Sequence, residues 1–313
     1  MNHQTIITFI LLSFSVFSKA QESAKDVSTQ KTENHINIPG TRLFIIPPKG
    51  FTIAKSFLGL QKGEEAMIQV YDLDGGDFYS NAKSISRKKF EDNGFKVYDY
   101  SEFHLNAYPA KYVCVQGSAL IHSHQLTFGD STFSVMLITG FSSEDKETGE
   151  QIKNALLSVY YDPSLKVDPF ATAHFTIDES ATRYKFSMYS SNLYAYTPDG
   201  KKNDDKFSPL VTITQLPLEQ GSTFETIAES MIKGINQNSF ILIENISATR
   251  KTINGFEAYE KIIKGYFNRK KARFYYLIFK QENRCIVFCG MTYAEDDNDL
   301  NDFITFAKTI QLK

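Results

Sequence analysis

The sequence has no tryptophan, few cysteines and prolines (three and nine), and no excess charge of either sign. Each shortage excludes something. With Lys and Arg at 34 against 36 acids, the formal net charge is −2, so no basic field marks a nucleic-acid binder. Cys285 and Cys289 share one face of a strand-like stretch, "RCIVFCGM". At about 3.3 Å per residue they stand about 13 Å apart, too far for a disulfide, which needs about 4.4–6.8 Å between Cα atoms. Together with Cys114 they read as small buried hydrophobes, and no Cys-x-x-Cys pair or zinc cluster is present. Gly-x-Ser-x-Gly, His-Glu-x-x-His and a phosphate-cradling glycine loop are all missing, which lowers the prior for catalysis.

The longest leading apolar run, Ile6 to Phe17, has 12 residues. A bilayer crossing needs about 20. Followed by Ser18-Lys19-Ala20, it reads as a signal peptide over 1–20 cleaved near Ala20, with an uncleaved anchor as the alternative. The mature chain is then expected to be soluble, periplasmic or secreted, with no transmembrane span. Residues 21–35 are polar and read as a flexible leader.

What the chain does have is apolar mass and repetition. Phe and Tyr number 26 and 17, and hydrophobic residues make up 42%. "FHLNAYPAKYVCVQG" and "KTINGFEAYEKIIKG" match in layout: Asn106, Tyr108 and Gly117 answer to Asn254, Phe256 and Gly265, each 148 residues later. Gly140 and Gly290 stand 150 apart, Phe78 and Phe224 146 apart. A near-constant offset across helix, turn and strand predicts one unit copied in tandem. The expected domains are 36–162 and 174–313, joined by a linker at 163–173 that holds Pro163 and Pro169. In each turn the Asn tolerates left-handed angles and caps its own turn, and the aromatic two places on plugs the core between sheet and helix.

Each half shows strand-like runs, a helix, three or four more strand-like runs and a closing helix. In the second half Phe224, Ile227, Ala228, Met231, Ile232 and Ile235 trace a helical stripe. Capping boxes are expected at Ser222/Glu225 and Thr148/Gln151, and one continuous helix is expected before Gly94. The fold class is α+β: two tandem α/β/α sandwich domains, each a mainly antiparallel sheet flanked by helices.

Three features could carry ligands. His122 and His124 put two imidazoles on one side of a strand, the only metal candidates, and without an evident third ligand. Two exposed histidines at a strand end is the competing reading. Asp72, Asp74 and Asp77 resemble the start of a calcium loop, but Lys83 occupies the twelfth place. Asp77 suits a helix entry, as do Asp296, Asp297, Asp299 and Asp302 before the last helix. No catalytic or cofactor-binding residue and no cofactor is assigned.

The order of elements, carried by "INGFEAYEKIIKGYF", "ARFYYLIFKQENRCIVFCGMTY" and "LNDFITFAKTIQL" and by "LNAYPAKYVCVQG", "FSVMLITGFSS" and "IKNALLSVYYD", resembles the PsbP-like family. That family includes an extrinsic subunit of photosystem II, bacterial exported relatives and a eukaryotic nuclear-transport factor. The resemblance implies a non-catalytic accessory or assembly protein that binds another envelope or secreted protein. The aromatic load suggests a second reading, a carrier of an apolar or lipid-like ligand between sheet and helix. A hydrolase acting through carboxylates or His122 and His124 is the third.

Overall fold

The computed structural model describes residues 26–201, 205, 207–218, 221–236, 240–281 and 283–313. The apolar run at Ile6–Phe17 and the cleavage site at Ala20 lie outside the described residues.

The first domain opens with β1 (Ile36–Asn37) and β2 (Leu43–Ile45), then β3 (Thr52–Ile53), β4 (Gly59–Lys62) and β5 (Ala66–Asp74). Two short helices follow, α1 (Phe78–Asn81) and α2 (Arg87–Asp92), separated by a 3-10 turn at Ala82–Ser84. A meander of β6 (Lys96–Leu105), β7 (Tyr108–Gln116), β8 (Ile121–Gly129) and β9 (Phe133–Ser142) leads to α3 (Lys146–Leu157) and β10 (Tyr160–Tyr161). The second domain repeats this: β11 (Phe175–Thr176), β12 (Lys185–Ser190), β13 (Leu193–Thr197) and β14 (Leu210–Pro217), then α4 (Phe224–Asn236). Its meander is β15 (Phe240–Ile253), β16 (Phe256–Phe267), β17 (Lys270–Gln281) and β18 (Arg284–Thr292), closed by α5 (Asn298–Ala307) and β19 (Gln311–Leu312).

Each domain holds a seven-stranded sheet, ordered β3-β4-β5-β9-β8-β7-β6 in the first and β12-β13-β14-β18-β17-β16-β15 in the second. The orders are identical once the copy is allowed for, and the pairings within both sheets are antiparallel. The duplication extends to an irregularity. Register slips between Val97 and Asp99 on β6, and between Asn245 and Ser247 on β15, again 148 residues on. One extra residue, Tyr98 or Ile246, is thereby pushed out of the ladder. The fold is α+β, in two sheet-rich domains.

Packing explains why the elements form. β5 alternates buried and half-buried positions, because one of its faces is more deeply covered than the other. β17 carries the run "FYYLIF", buried throughout, because helices lie on both faces of its sheet. On one face α5 sets Phe303 and Phe306 against Tyr275 and Phe288. On the other, α4 sets Phe224, Ile227, Ala228 and Ile232 against Tyr259, Ile263, Phe274 and Tyr276, as its stripe requires. In the first domain α3 buries Ile152 and Leu156 in the equivalent core. The opposite face has only a small cluster around Phe78, Ala82 and Ile85.

Several local expectations need correction. The helix before Gly94 is not continuous, because Ile85 takes an extended conformation and is buried while Ser86 caps a new helix. Helix α3 is capped by Asp145, whose carboxylate accepts from Thr148 N, so Thr148 is not the cap. In α4 the box is Thr223 and Thr226, one residue later than expected, and Glu225 pairs with Arg250 instead. The polar leader is not loose from Asp26 onward. Val27 pairs with Leu105, and Thr29 N donates to Asn106 Oδ1.

The paired asparagines do not cap their own turns. Asn254 Nδ2 donates to the carbonyls of Lys308 and Ile310 at 3.0 and 2.6 Å, and Asn106 Nδ2 reaches Val159 O at 3.4 Å. Each turn is thus tied to the chain leaving the closing helix. Tyr108 does enter the core, meeting Phe133 and Tyr161, but Phe256 stays exposed. Both turns need left-handed backbone at two successive residues. The second uses Asn254-Gly255 (φ 51° and 85°), whereas the first forces Ala107 to φ 72°. An alanine there is strained by about 1 kcal/mol. Ala107→Gly is therefore expected to raise stability by about that amount, less glycine's extra chain entropy. Urea denaturation of the two chains measures it.

Candidate interaction surface

The residues singled out for chemistry are drawn into the fold's own stabilisation. His124 is buried on β8, not exposed at a strand end; its ring stacks on Phe141 at 5.0 Å. Its Nδ1 is hydrogen-bonded to the Tyr112 hydroxyl. His122 lies half-buried against Tyr98, 4.8 Å between ring centres. Among the described residues no group of three or more His, Cys, Asp or Glu side chains is placed to hold a metal.

Burial lowers the His124 pKa to about 4, with Lys153 and His122 adding to the effect. The imidazole is then neutral when folded but protonates near its ordinary value when unfolded. Stability is full above about pH 6.5 and is lost as pH falls toward 4, by up to about 3 kcal/mol. Denaturation at pH 7 and pH 4.5 should show this, and His124→Gln should flatten the difference.

The acids are also spoken for. Asp72 is buried against Arg42, Asp74 pairs with the same guanidinium, and Asp77 caps α1 through Tyr79 N and Ser80 N. They do not converge as a calcium loop would require. Asp299 and Asp302 pair with Arg183, and Asp297 with Arg273. The cysteines are free thiols. Burial pushes Cys285 up to about 11 and Cys289 up to about 12, values that suit packing and not nucleophilic work. Where helix meets sheet, the Phe303 ring sits directly on the Gly290 backbone, and Phe141 on Gly149.

The feature that sequence reading missed is the free edge of the second sheet. β15 is its last strand, and the first half of that strand turns large apolar side chains to solvent. Ile241, Leu242, Ile243 and Ile246 are 68, 36, 52 and 47% exposed. Two register slips, at Leu242/Glu244 and Asn245/Ser247, leave Ile243 and Ile246 outside the ladder. Farther along, Arg250 of β15 is held by Glu225 of α4, so the bare portion is the beginning. The matching edge in the first domain is better occupied. Tyr98, the bulged residue there, is engaged by His122, Lys96 and the Gln116 side chain, while Val27 and Asp26 attach at the strand's end.

Beside Ile246 lies a shallow cleft of about 360 Å³, bounded by Glu244, Lys264, Lys271, Arg273 and Tyr293. Lys271 and Arg273 are paired with Glu295 and Asp297, whereas Lys264 has no ion pair among the described residues. The signal was present in the sequence as "SFILIENIS", an apolar run with no polar alternation. It reads as a buried strand until its place at the sheet edge is known.

No protein-family model matches the chain, and none of the curated proteins does. Solved structures show distant likeness. The immunity protein TplEi of the type VI secretion system of Pseudomonas aeruginosa is 8% identical, with a TM-score of 0.32, over 89% of this chain and 97% of its own. The Tle4–Tli4 complex gives 8% and 0.32 over 90% of this chain and 99% of that one. CyanoP, the cyanobacterial PsbP of Synechocystis, gives 15% and 0.29, over 49% of this chain and all of its own. At these scores the likenesses carry no argument about function. Among the described residues no helix is long and apolar enough to cross a membrane.

Proposed function

We propose that this is an exported, non-catalytic accessory protein built of two PsbP-like units, which binds an envelope or secreted protein along the start of β15. The observation that carries the reading is the cluster of Ile241, Leu242, Ile243 and Ile246, exposed together on an edge strand. Such patches are retained at interfaces because in isolation they invite aggregation. Export rests on the leading apolar run and the Ser18-Lys19-Ala20 site.

The occupant that fits is a segment of a partner chain with apolar side chains beside an acidic one. The isoleucines receive the former, and Lys264, which stands across the ladder from Glu244 but has no ion pair among the described residues, receives the latter. The bulges interrupt the ladder at this end, so side chains and not a continuous run of backbone hydrogen bonds make the contact.

The test is site-specific photo-crosslinking from position 246 in the native envelope, with position 121 as control. A saturable adduct to one partner, through a segment containing Asp or Glu, is expected. Ile243→Asp with Ile246→Asp should cut its yield at least tenfold while leaving the circular dichroism spectrum unchanged. Failure to obtain an adduct, or an adduct only to a second copy of the chain, rejects the reading.

A further inference from the structure

A second cleft, about 220 Å³, lies where the two domains meet. The first domain contributes the loop Lys55–Leu58 between β3 and β4. The linker and second domain contribute Thr172, His174, Asn192, Gln215 and Arg284. Its floor is rigid. Gln215, 4% exposed, accepts from His174 N at 2.6 Å and donates to Thr172 O at 3.2 Å.

The cleft's charge is one-sided. Among the described residues Arg284 Nη1 is buried with no hydrogen-bond partner, and Nε donates to the neutral Asn283 side chain at 3.3 Å. Burial lowers the Arg284 pKa. The His174 pKa is lowered too, by burial first and then by Arg284 and Lys313, so cations crowd this corner. Exposed Lys55 completes the lining from the opposite wall. Among the described residues no Asp or Glu lines it. A guanidinium nitrogen buried without a hydrogen-bond partner is costly, and an oxyanion that accepts from it removes the cost.

We propose that this cleft binds a small free oxyanion, a carboxylate or a phosphate, held by Arg284 with Lys55 across from it. The volume admits a small ion and excludes a nucleotide or a lipid. Because the walls belong to different domains, the bound ion fastens them together. The site uses none of the residues of the β15 surface.

Isothermal titration of the full mature chain with inorganic phosphate and, separately, with acetate, at fixed ionic strength set by chloride, tests the proposal and tells the two oxyanions apart. Saturable one-to-one binding of at least one of them is expected. Arg284→Gln should weaken it at least tenfold, and Arg284→Lys less. Lys55→Gln lies on an exposed loop and does not endanger folding, so it serves where Arg284→Gln misfolds; it should weaken binding several-fold. Equal heats in wild type and Lys55→Gln, or a response to both anions that never saturates, overturns the proposal.

Discussion

Gly290→Ala is expected to destabilise the second domain by about 3 kcal/mol, while the equivalent change Gly140→Ala costs less than about 1. The two glycines hold the same place in the copied sheet, opposite Val211 on β14 and Met67 on β5 respectively. Their surroundings differ. A methyl group at Gly290 would collide with the base of the Phe303 ring, which a rotamer change does not clear, so α5 must lift off the sheet. At Gly140 the nearest atom is Met67 Cγ, at an ordinary 3.7 Å. Phe303→Ala should itself lower stability by about 3–5 kcal/mol, since the side chain is fully buried. Phe303→Leu combined with Gly290→Ala should cost less than the sum of the singles, because both act on one contact. Urea midpoints followed by far-ultraviolet circular dichroism measure all of these. Equal losses at Gly140 and Gly290 would refute the account of the packing.

These positions also mark what the sequence could disclose. The offset between Gly140 and Gly290 was readable as evidence of duplication, and the shared strand order and the bulges at Tyr98 and Ile246 agree with it. The α4 stripe was readable because a helix against a sheet imposes its own period. The break at Ile85 was not, since a buried β-branched residue between two serines fits a helix nearly as well by pattern. Nor was the divergent role of Tyr108 and Phe256, because whether a residue after a turn faces the core depends on what the other elements bring to it. The β15 surface was hidden for the opposite reason. "FILI" has the composition of a core strand, and only the sheet order shows that it is the last strand among the described residues. Similarly, Arg284 gained significance because its Nη1 is buried with no hydrogen-bond partner among the described residues, and such a gap has no sequence signature.

Removing the half-buried cation that neutralises buried Asp72 should be as damaging as the Phe303 change. Arg42→Met is expected to cost about 3–5 kcal/mol, the usual result of leaving one member of a buried pair behind. Asp72 is 7% exposed and takes three bonds from Arg42: from its N–H at 2.8 Å, Nε at 3.2 Å and Nη2 at 2.9 Å. The Tyr161 hydroxyl adds a long fourth contact at 3.4 Å. Burial works against the charge on Arg42, but Asp72 and Asp74 outweigh it and hold the guanidinium pKa above its ordinary value. After Arg42→Met the Asp72 carboxylate keeps only the backbone N–H and the tyrosine. Asp72→Asn in the same chain replaces the stranded charge with a neutral amide, and should restore more than half of the loss. The pair also stands at the domain junction, where Ser191 Oγ donates to the Asp72 carbonyl and Tyr189 to the Gly40 carbonyl. Limited proteolysis within residues 163–173, expected from the sequence to link the domains, should therefore accelerate in Arg42→Met and return toward the wild-type rate in the double variant. A single variant as stable as wild type, or a double variant no better than the single, would show that the pair is a bystander and that packing around Tyr161 alone secures this end of the first sheet.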